Sequence, residues 1–364
     1  MSLYFTLPEG MGMNEVYEGL ILTTCFGKDS GRRVLGIIGG GGSRVASAAG
    51  LAAGLQDLKV HQGFSVLILG SAGAIVGALM AANQAHLAAE GFPAICGHRS
   101  FIRLHRRGAV NIGRMEKALR GKTHGGRFRL DVDAVRSSPM EMYVVVATRE
   151  GKVEYLSLKE LPDVVDGVVA AASLPGWLWG KTKRIGGKDY GDGAILDPLP
   201  TEWVKENLKP TEIAWFPNQE LPLPREVVAN GGPITLKQKR DMLLSKFLEF
   251  LVRNVALWGH PKRFRMLARQ ARALLQRRLE DAMYDAEIPL SILPTPPMGL
   301  SVNPFTTDPR KLQLAVMFGR SAIHRQFHHF RQSILSLEPL REEDPEALLE
   351  RFRLKYQFPK GPLA

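Results

Sequence analysis

Ser71 stands in the run Val66-Leu67-Ile68-Leu69-Gly70-Ser71-Ala72-Gly73, between an apolar β-branched stretch and a small-residue helical one. A hydroxyl at such a strand-to-helix turn is pushed out of the chain at the positive end of a helix, which suits a nucleophile. Plain packing is the alternative use of a serine among small residues, so a nucleophile needs partners. Asp192, in the segment Lys188 to Pro200 (KDYGDGAILDPLP), is the first. Lying between Gly191 and Gly193, it is expected in a turn where the backbone can take positive φ. A carboxylate held close to a serine and partly desolvated gains a raised pKa and can serve as its base. The second partner is the glycine run Gly39 to Gly42, between the strand-like Val34–Ile38 and a helix. Without Cβ atoms, the N–H groups of Gly40, Gly41 and Gly42 can approach a negative group, either a phosphate or a developing oxyanion. Arg44, at the start of the following helix, could hold a phosphate, support this loop or simply be solvated.

These residues require a scaffold of strands alternating with helices. Strands are expected at Val34–Ile38, Ser65–Leu69, Met142–Ala147, Glu212–Phe216 and Pro289–Leu293. Helices are expected at Arg44–Leu55, Ala72–Ala89, Asp163–Ala172, Asp241–Val255, Lys262–Tyr284 and Asp308–Phe330, the last with Asp308 as cap and Pro309 in its first turn. Such alternation implies an α/β fold with a mostly parallel central sheet covered by helices on both faces. The uncharged stretch Gly63 to Asn83 is long enough to cross a bilayer, but its change of period at the glycines predicts a buried strand, a sharp turn and a buried helix.

The chain has 364 residues, 45% of them hydrophobic and 23% charged, a globular composition with ample material for a core. Its two cysteines, Cys25 and Cys96, make no metal-type cluster, so neither a metal nor a cofactor is expected. The N-terminus lacks a basic region before an apolar core, and a cytoplasmic protein is expected, with peripheral membrane contact. The formal net charge is +12, which favours anionic partners. Basic residues concentrate between Arg99 and Arg129 and between Lys237 and Asp281. In the second stretch apolar residues at helical spacing oppose Arg265, Arg269, Arg272 and Arg277, a pattern suited to an anionic membrane or to a helix packed on the sheet. Stacking aromatics and known modules for nucleic acid are missing, so no nucleic-acid partner is expected.

Taken together, the three motifs resemble the patatin-like phospholipase family. The family pattern of a G-G-G-x-[KR]-G loop, a G-x-S-x-G elbow and a D-G-[GA] motif is met by Gly40-Gly41-Gly42-Ser43-Arg44-Val45, Leu69-Gly70-Ser71-Ala72-Gly73 and Asp192-Gly193-Ala194. Ala170–Gly180 and Met142–Leu158 resemble the stretch before the family's aspartate and its strand pair. Leu69 and Val45 depart from the pattern, each replacing a glycine. The resemblance implies a three-layer α/β/α fold with additional C-terminal helices. It also implies a lipid acyl hydrolase of phospholipase A or lysophospholipase type, acting on a phospholipid or other acyl ester. In that reading Ser71 and Asp192 form the catalytic dyad, Gly40, Gly41 and Gly42 the oxyanion hole, and Arg44, Gly70, Gly73 and Gly193 support them.

The expected organisation is an N-terminal extension over residues 1–30, a hydrolase domain over 31–335 with a basic helical insertion at 237–286, and a charged helix and tail over 336–364. Other readings stay open. One is a catalytically inactive lipid- or membrane-binding protein of the same family. Another is a Rossmann-type dinucleotide enzyme, against which Gly40, Gly42 and Val45 break the G-x-G-x-x-G spacing. A third is a His-containing triad drawing on His260 or His324, which both follow Asp192.

Overall fold

A computed structural model describes residues 13–98, 100–102, 110–174, 182–218, 290–293, 302 and 306–326. The expected helices at Asp241–Val255 and Lys262–Tyr284, the basic stretch 237–286 and the segment 336–364 lie outside the described residues.

The centre is an eight-stranded mixed sheet. Strands β1 (Val34–Ile38), β2 (Phe64–Gly70), β3 (Glu141–Thr148), β7 (Glu212–Phe216) and β8 (Leu290–Ile292) run parallel to their neighbours. Strand β4 (Val153–Ser157) and the hairpin β5 (Lys183–Ile185) and β6 (Lys188–Asp192) add antiparallel pairs around β3. The sheet order is β5-β6-β3-β2-β1-β7-β8, with β4 on β3.

Strand residues alternate between two cores. Val34 and Ile38 of β1, Leu67 and Leu69 of β2, and Val144 and Val146 of β3 face one. Leu35 and Ile37, Val66 and Ile68, and Val145 face the other. Burial on both sides explains why these strands read as unbroken apolar runs. The first core is covered by α1 (Met13–Phe26), α2 (Ala46–Asp57), α3 (Gly73–Ala81), α4 (Ala85–Gly91) and α7 (Val164–Ala172). The second is closed in part by α8 (Thr201–Asn207), through Val204 and its flanking Leu199 and Leu208. This is a three-layer α/β/α arrangement. Smaller helices α5 (Ile112–Leu119) and α6 (Val132–Ser137) are capped by Asn111 and Asp131, whose side chains accept backbone N–H bonds.

Several expectations change in detail. Residues 72–89 form two helices, because the chain turns at Asn83, which takes a positive φ of 58°. The helix expected from Arg44 begins as a tight 3-10 turn over Gly42–Val45 before α2. The segment expected as an N-terminal extension contributes α1, whose Val16, Leu20 and Ile21 lie in the first core. The stretch Gly63 to Asn83 is a strand, a turn and a helix, and no helix among the described residues is long and apolar enough to cross a membrane.

Helix α9 (Pro309–Gln326) lies along α2 with backbone close to backbone. A Cβ on Gly50 would stand 2.0 Å from the carbonyl oxygen of Val316, and one on Gly319 would stand 2.2 Å from that of Ser47. At the far end Arg320 and His324 both reach the carboxylate of Asp57, at 2.6 and 2.7 Å. Gly50→Ala is therefore expected to force the helices apart, at a cost of about 1–3 kcal/mol for overpacking. The check is chemical denaturation, in which the variant's midpoint should fall while an exposed control such as Lys122→Ala leaves it unmoved.

Candidate active site

Strand β3 aligns the site. Its edge is occupied by β2 up to the pair Gly70–Val145, and β6 takes over the same edge at the pair Val146–Asp192. The C-terminal ends of β2 and β6 therefore meet head to head. Ser71 follows Gly70 and Asp192 ends β6, so neighbouring positions on one strand bring together residues far apart in the chain.

The glycines of the motifs are required by close approaches. A Cβ on Gly193 would come within 2.6 Å of the Val146 backbone, and one on Gly70 within 2.8 Å of the Ala194 Cβ. A Cβ on Gly73 would lie 2.2 Å from the Ile38 carbonyl oxygen, which locks the start of α3 to the end of β1. A Cβ on Gly40 would lie 2.2 Å from the Ser71 Cβ and 2.9 Å from its hydroxyl. The glycine loop thus lies directly against the serine. Asp192 departs from expectation: it ends a strand, and neither Gly191 nor Gly193 takes a positive φ. Gly193 is needed for clearance, and the positive-φ turn falls instead at Gly186 and Gly187, with φ of 55° and 84°, which join β5 to β6.

Ser71 itself takes a φ of 51°, a left-handed conformation costing a side-chain-bearing residue roughly 1–2 kcal/mol. Its carbonyl accepts the Ala74 N–H at 3.0 Å as α3 begins. Gly41 and Gly42 also have positive φ, 149° and 59°. Among the described residues the N–H groups of Gly40, Gly41 and Gly42 donate to no hydrogen bond, so they are available to an incoming oxygen. Ser43 donates its hydroxyl to the Thr306 carbonyl at 2.8 Å, and Arg44 donates Nε–H to that of Val302 at 3.3 Å, bracing the loop from outside.

Asp192 is 1% exposed. Its N–H donates to the Ser173 carbonyl at 2.8 Å, and its Oδ1 accepts the Ala194 N–H at 2.9 Å. Oδ2 is buried without a hydrogen bond of good geometry. The Ser71 hydroxyl lies near enough to favour the carboxylate electrostatically, but the pair falls short of a well-formed bond. In ligand-free sites such bonds are commonly loose and tighten around substrate. Burial pushes the carboxyl up to about 7, against the smaller opposing effects of Ser71 and the Ala194 N–H.

The two departures from the family pattern lie in the core. Leu69 is fully buried and its Cδ2 occupies the space of a Cβ on Gly77, at 2.1 Å, so α3 makes room for it with a glycine. Val45 is fully buried in the same core. His324 is engaged with Asp57 at the end of α2 remote from the glycine loop, and His260 lies outside the described residues.

Two participants escaped the sequence reading. Ser173 supplies the carbonyl that fixes the Asp192 backbone. Asn218, just beyond β7 and 7% exposed, packs against the glycine loop: a Cβ on Gly41 would stand 2.9 Å from its Nδ2. Asn218 shares no pattern with the motifs; only the pairing of β7 with β1 places it there.

Comparison with known proteins gives a match over part of the chain. Residues 36–204 match the family model described as patatin-like phospholipase. That stretch resembles the patatin-like phospholipases. The patatin-like region begins within β1, contains the glycine loop, Ser71 and Asp192, and ends within α8. Among solved structures, the crystal structure of VipD from Legionella pneumophila is similar over 78% of this chain and 66% of that one, at 13% identity and a TM-score of 0.36. No curated protein matches the chain.

Two outcomes follow for the patatin-like region. Leu69→Ala should leave a cavity against Gly77 and cost about 2–5 kcal/mol, read as a lowered denaturation midpoint. The second concerns Asp192. A carboxyl raised in the folded state binds its proton more tightly there than in the unfolded chain, so its stabilising contribution fades as pH rises from about 4 to about 7. Asp192→Asn carries no such loss. Relative to the parent, the variant should gain on the order of 4 kcal/mol between about pH 4 and about pH 8, measured as the difference in unfolding free energy.

Proposed function

We propose that the chain is a lipid acyl hydrolase of phospholipase A or lysophospholipase type, with Ser71 as nucleophile and Asp192 as its base. The observation that carries this reading is the meeting on β3: a strained serine beside a buried carboxylate, under a glycine loop with free N–H groups. The family match supplies the substrate class, an acyl ester of a lipid.

The chemistry follows from the arrangement. The Ser71 oxygen attacks the ester carbonyl carbon while Asp192 takes the hydroxyl proton. The carbonyl oxygen gains negative charge and is received by N–H groups of Gly40, Gly41 and Gly42, a contribution of about 10²–10³ in rate per donor. Asp192 returns the proton to the leaving alcohol, and an acyl-enzyme remains. Water then attacks the acyl carbon, giving its proton to Asp192, and the fatty acid leaves as Ser71 is restored. A carboxyl poised at about 7 can both accept and return a proton near neutrality, which a carboxyl at its ordinary value does poorly. Arg44 acts by holding the loop to Val302.

Absorption of Leu69 and Val45 into the core favours an active enzyme over an inactive lipid-binding relative, since neither side chain intrudes on Ser71. The dinucleotide alternative fares worse, because Val45 stands where the G-x-G-x-x-G spacing needs its last glycine.

The test is labelling with a fluorophosphonate followed by mass mapping of the modified residue. Ser71 should carry the label. Ser71→Ala and Asp192→Asn should each lower fatty-acid release from phospholipid micelles by at least about 10³, whereas His324→Ala should leave it unchanged. The labelling rate should rise with pH through about 7 as Asp192 loses its proton. A label on another residue, or full turnover by Asp192→Asn, would overthrow the dyad.

A further inference from the structure

Helix α9 has two opposed faces. Leu312, Ala315, Val316, Ala322 and Ile323 are buried toward the body of the protein, and Gly319 lies against α2. On the opposite face Leu314 and Met317 are 51% and 55% exposed, the large apolar side chains that stand out most among the described residues. They share that face with exposed Arg310 and Arg325, and exposed Lys311 flanks it. From Pro309 to Gln326 the helix has no acidic residue. Asp57 neutralises Arg320, whereas Arg310, Lys311 and Arg325 make no ion pair among the described residues. Arg310 and Lys311 occupy the first turn, where the helix dipole disfavours cations, and Asp308 offsets this only by capping the Arg310 N–H at 3.0 Å. Cations kept where folding gains nothing from them, beside bared leucine and methionine, match a surface that is negative outside and apolar within.

We propose that the outer face of α9 docks on an anionic lipid membrane, with Leu314 and Met317 entering the interface and Arg310, Lys311 and Arg325 meeting lipid phosphates and carboxylates. The face is tied to the glycine loop. The segment leading into α9 accepts the Ser43 hydroxyl at Thr306, so the docking end of the helix adjoins the rim that carries Gly41 and Gly42. A membrane held by Arg310, Lys311 and Leu314 lies at the end of the sheet where Ser71 stands. Docking does not depend on the Ser71–Asp192 reading, because it is measured without turnover.

The full chain is to be sedimented with vesicles of phosphatidylcholine alone and of phosphatidylcholine with phosphatidylserine. Retention is expected on the anionic vesicles only. Arg310→Gln with Lys311→Gln should weaken it about 30-fold, the factor two interfacial cations supply. Leu314→Ser with Met317→Ser should weaken it by about tenfold or more at unchanged charge. Lys117→Gln with Lys122→Gln, an equal charge change on α5 and the loop after it, should have a clearly smaller effect. The proposal is overturned if that control loses as much as the α9 pair, or if the Leu314 and Met317 variant binds like the parent. It is also overturned if sedimentation velocity shows a dimer that this variant dissolves, which would make the face a contact between copies. A second readout does not depend on the double variants. Met317→Trp should be quenched by brominated acyl chains in anionic vesicles beyond the parent's tryptophans, and no added quenching overturns the proposal.

Discussion

The structure turns on how one edge of β3 is shared. β2 pairs with it to Val145 and β6 resumes at Val146, so two strands of opposite direction abut with no gap between them. This juncture requires glycine on both sides. Gly193 passes the β3 backbone where no Cβ fits, and Gly70 faces Ala194. A buried carboxylate is costly unless it is hydrogen-bonded or paired. Here the sheet's own hydrogen-bond ladder holds Asp192 in place, with the Ser173 carbonyl and the Ala194 N–H completing its surroundings.

From that juncture the rest of the site is an exercise in removing side chains. Gly40 clears Ser71, Gly73 clears the end of β1, and Gly77 clears Leu69. The same device recurs away from the chemistry, where Gly50 and Gly319 let α2 and α9 touch through their backbones. Since α2 grows directly out of the glycine turn, the helix pair and the bonds to Val302 and Thr306 give that turn a rigid footing. Such preorganised N–H groups need not reorganise when charge develops.

Much of this was legible in the amino-acid order, for identifiable reasons. β1 and β7 were readable to the residue because both faces are buried and the runs are apolar apart from Glu212 at the start of β7. Ser71, Asp192 and the glycine loop announced themselves as short local patterns. The β5–β6 hairpin was missed because its exposed residues are lysine, arginine and aspartate, although Gly186-Gly187 carries the turn signal. The role of Gly193 was misread for a related reason: sequence alone cannot separate a glycine needed for its φ from one needed for clearance. Neither the room made by Gly77 nor the approach of Asn218 was visible, since both depend on which elements become neighbours.

The brace on the glycine turn has a bearing on biosynthesis. Ser43 and Arg44 are made early, yet the carbonyls that hold them belong to Thr306 and Val302, 263 and 258 positions later. A ribosome-bound chain can therefore pair β1, β2, β3 and β6 long before that turn acquires its outer anchors. The nascent protein carries an assembled scaffold and an unanchored turn, and its final fastening coincides with release of the segment that leads into α9.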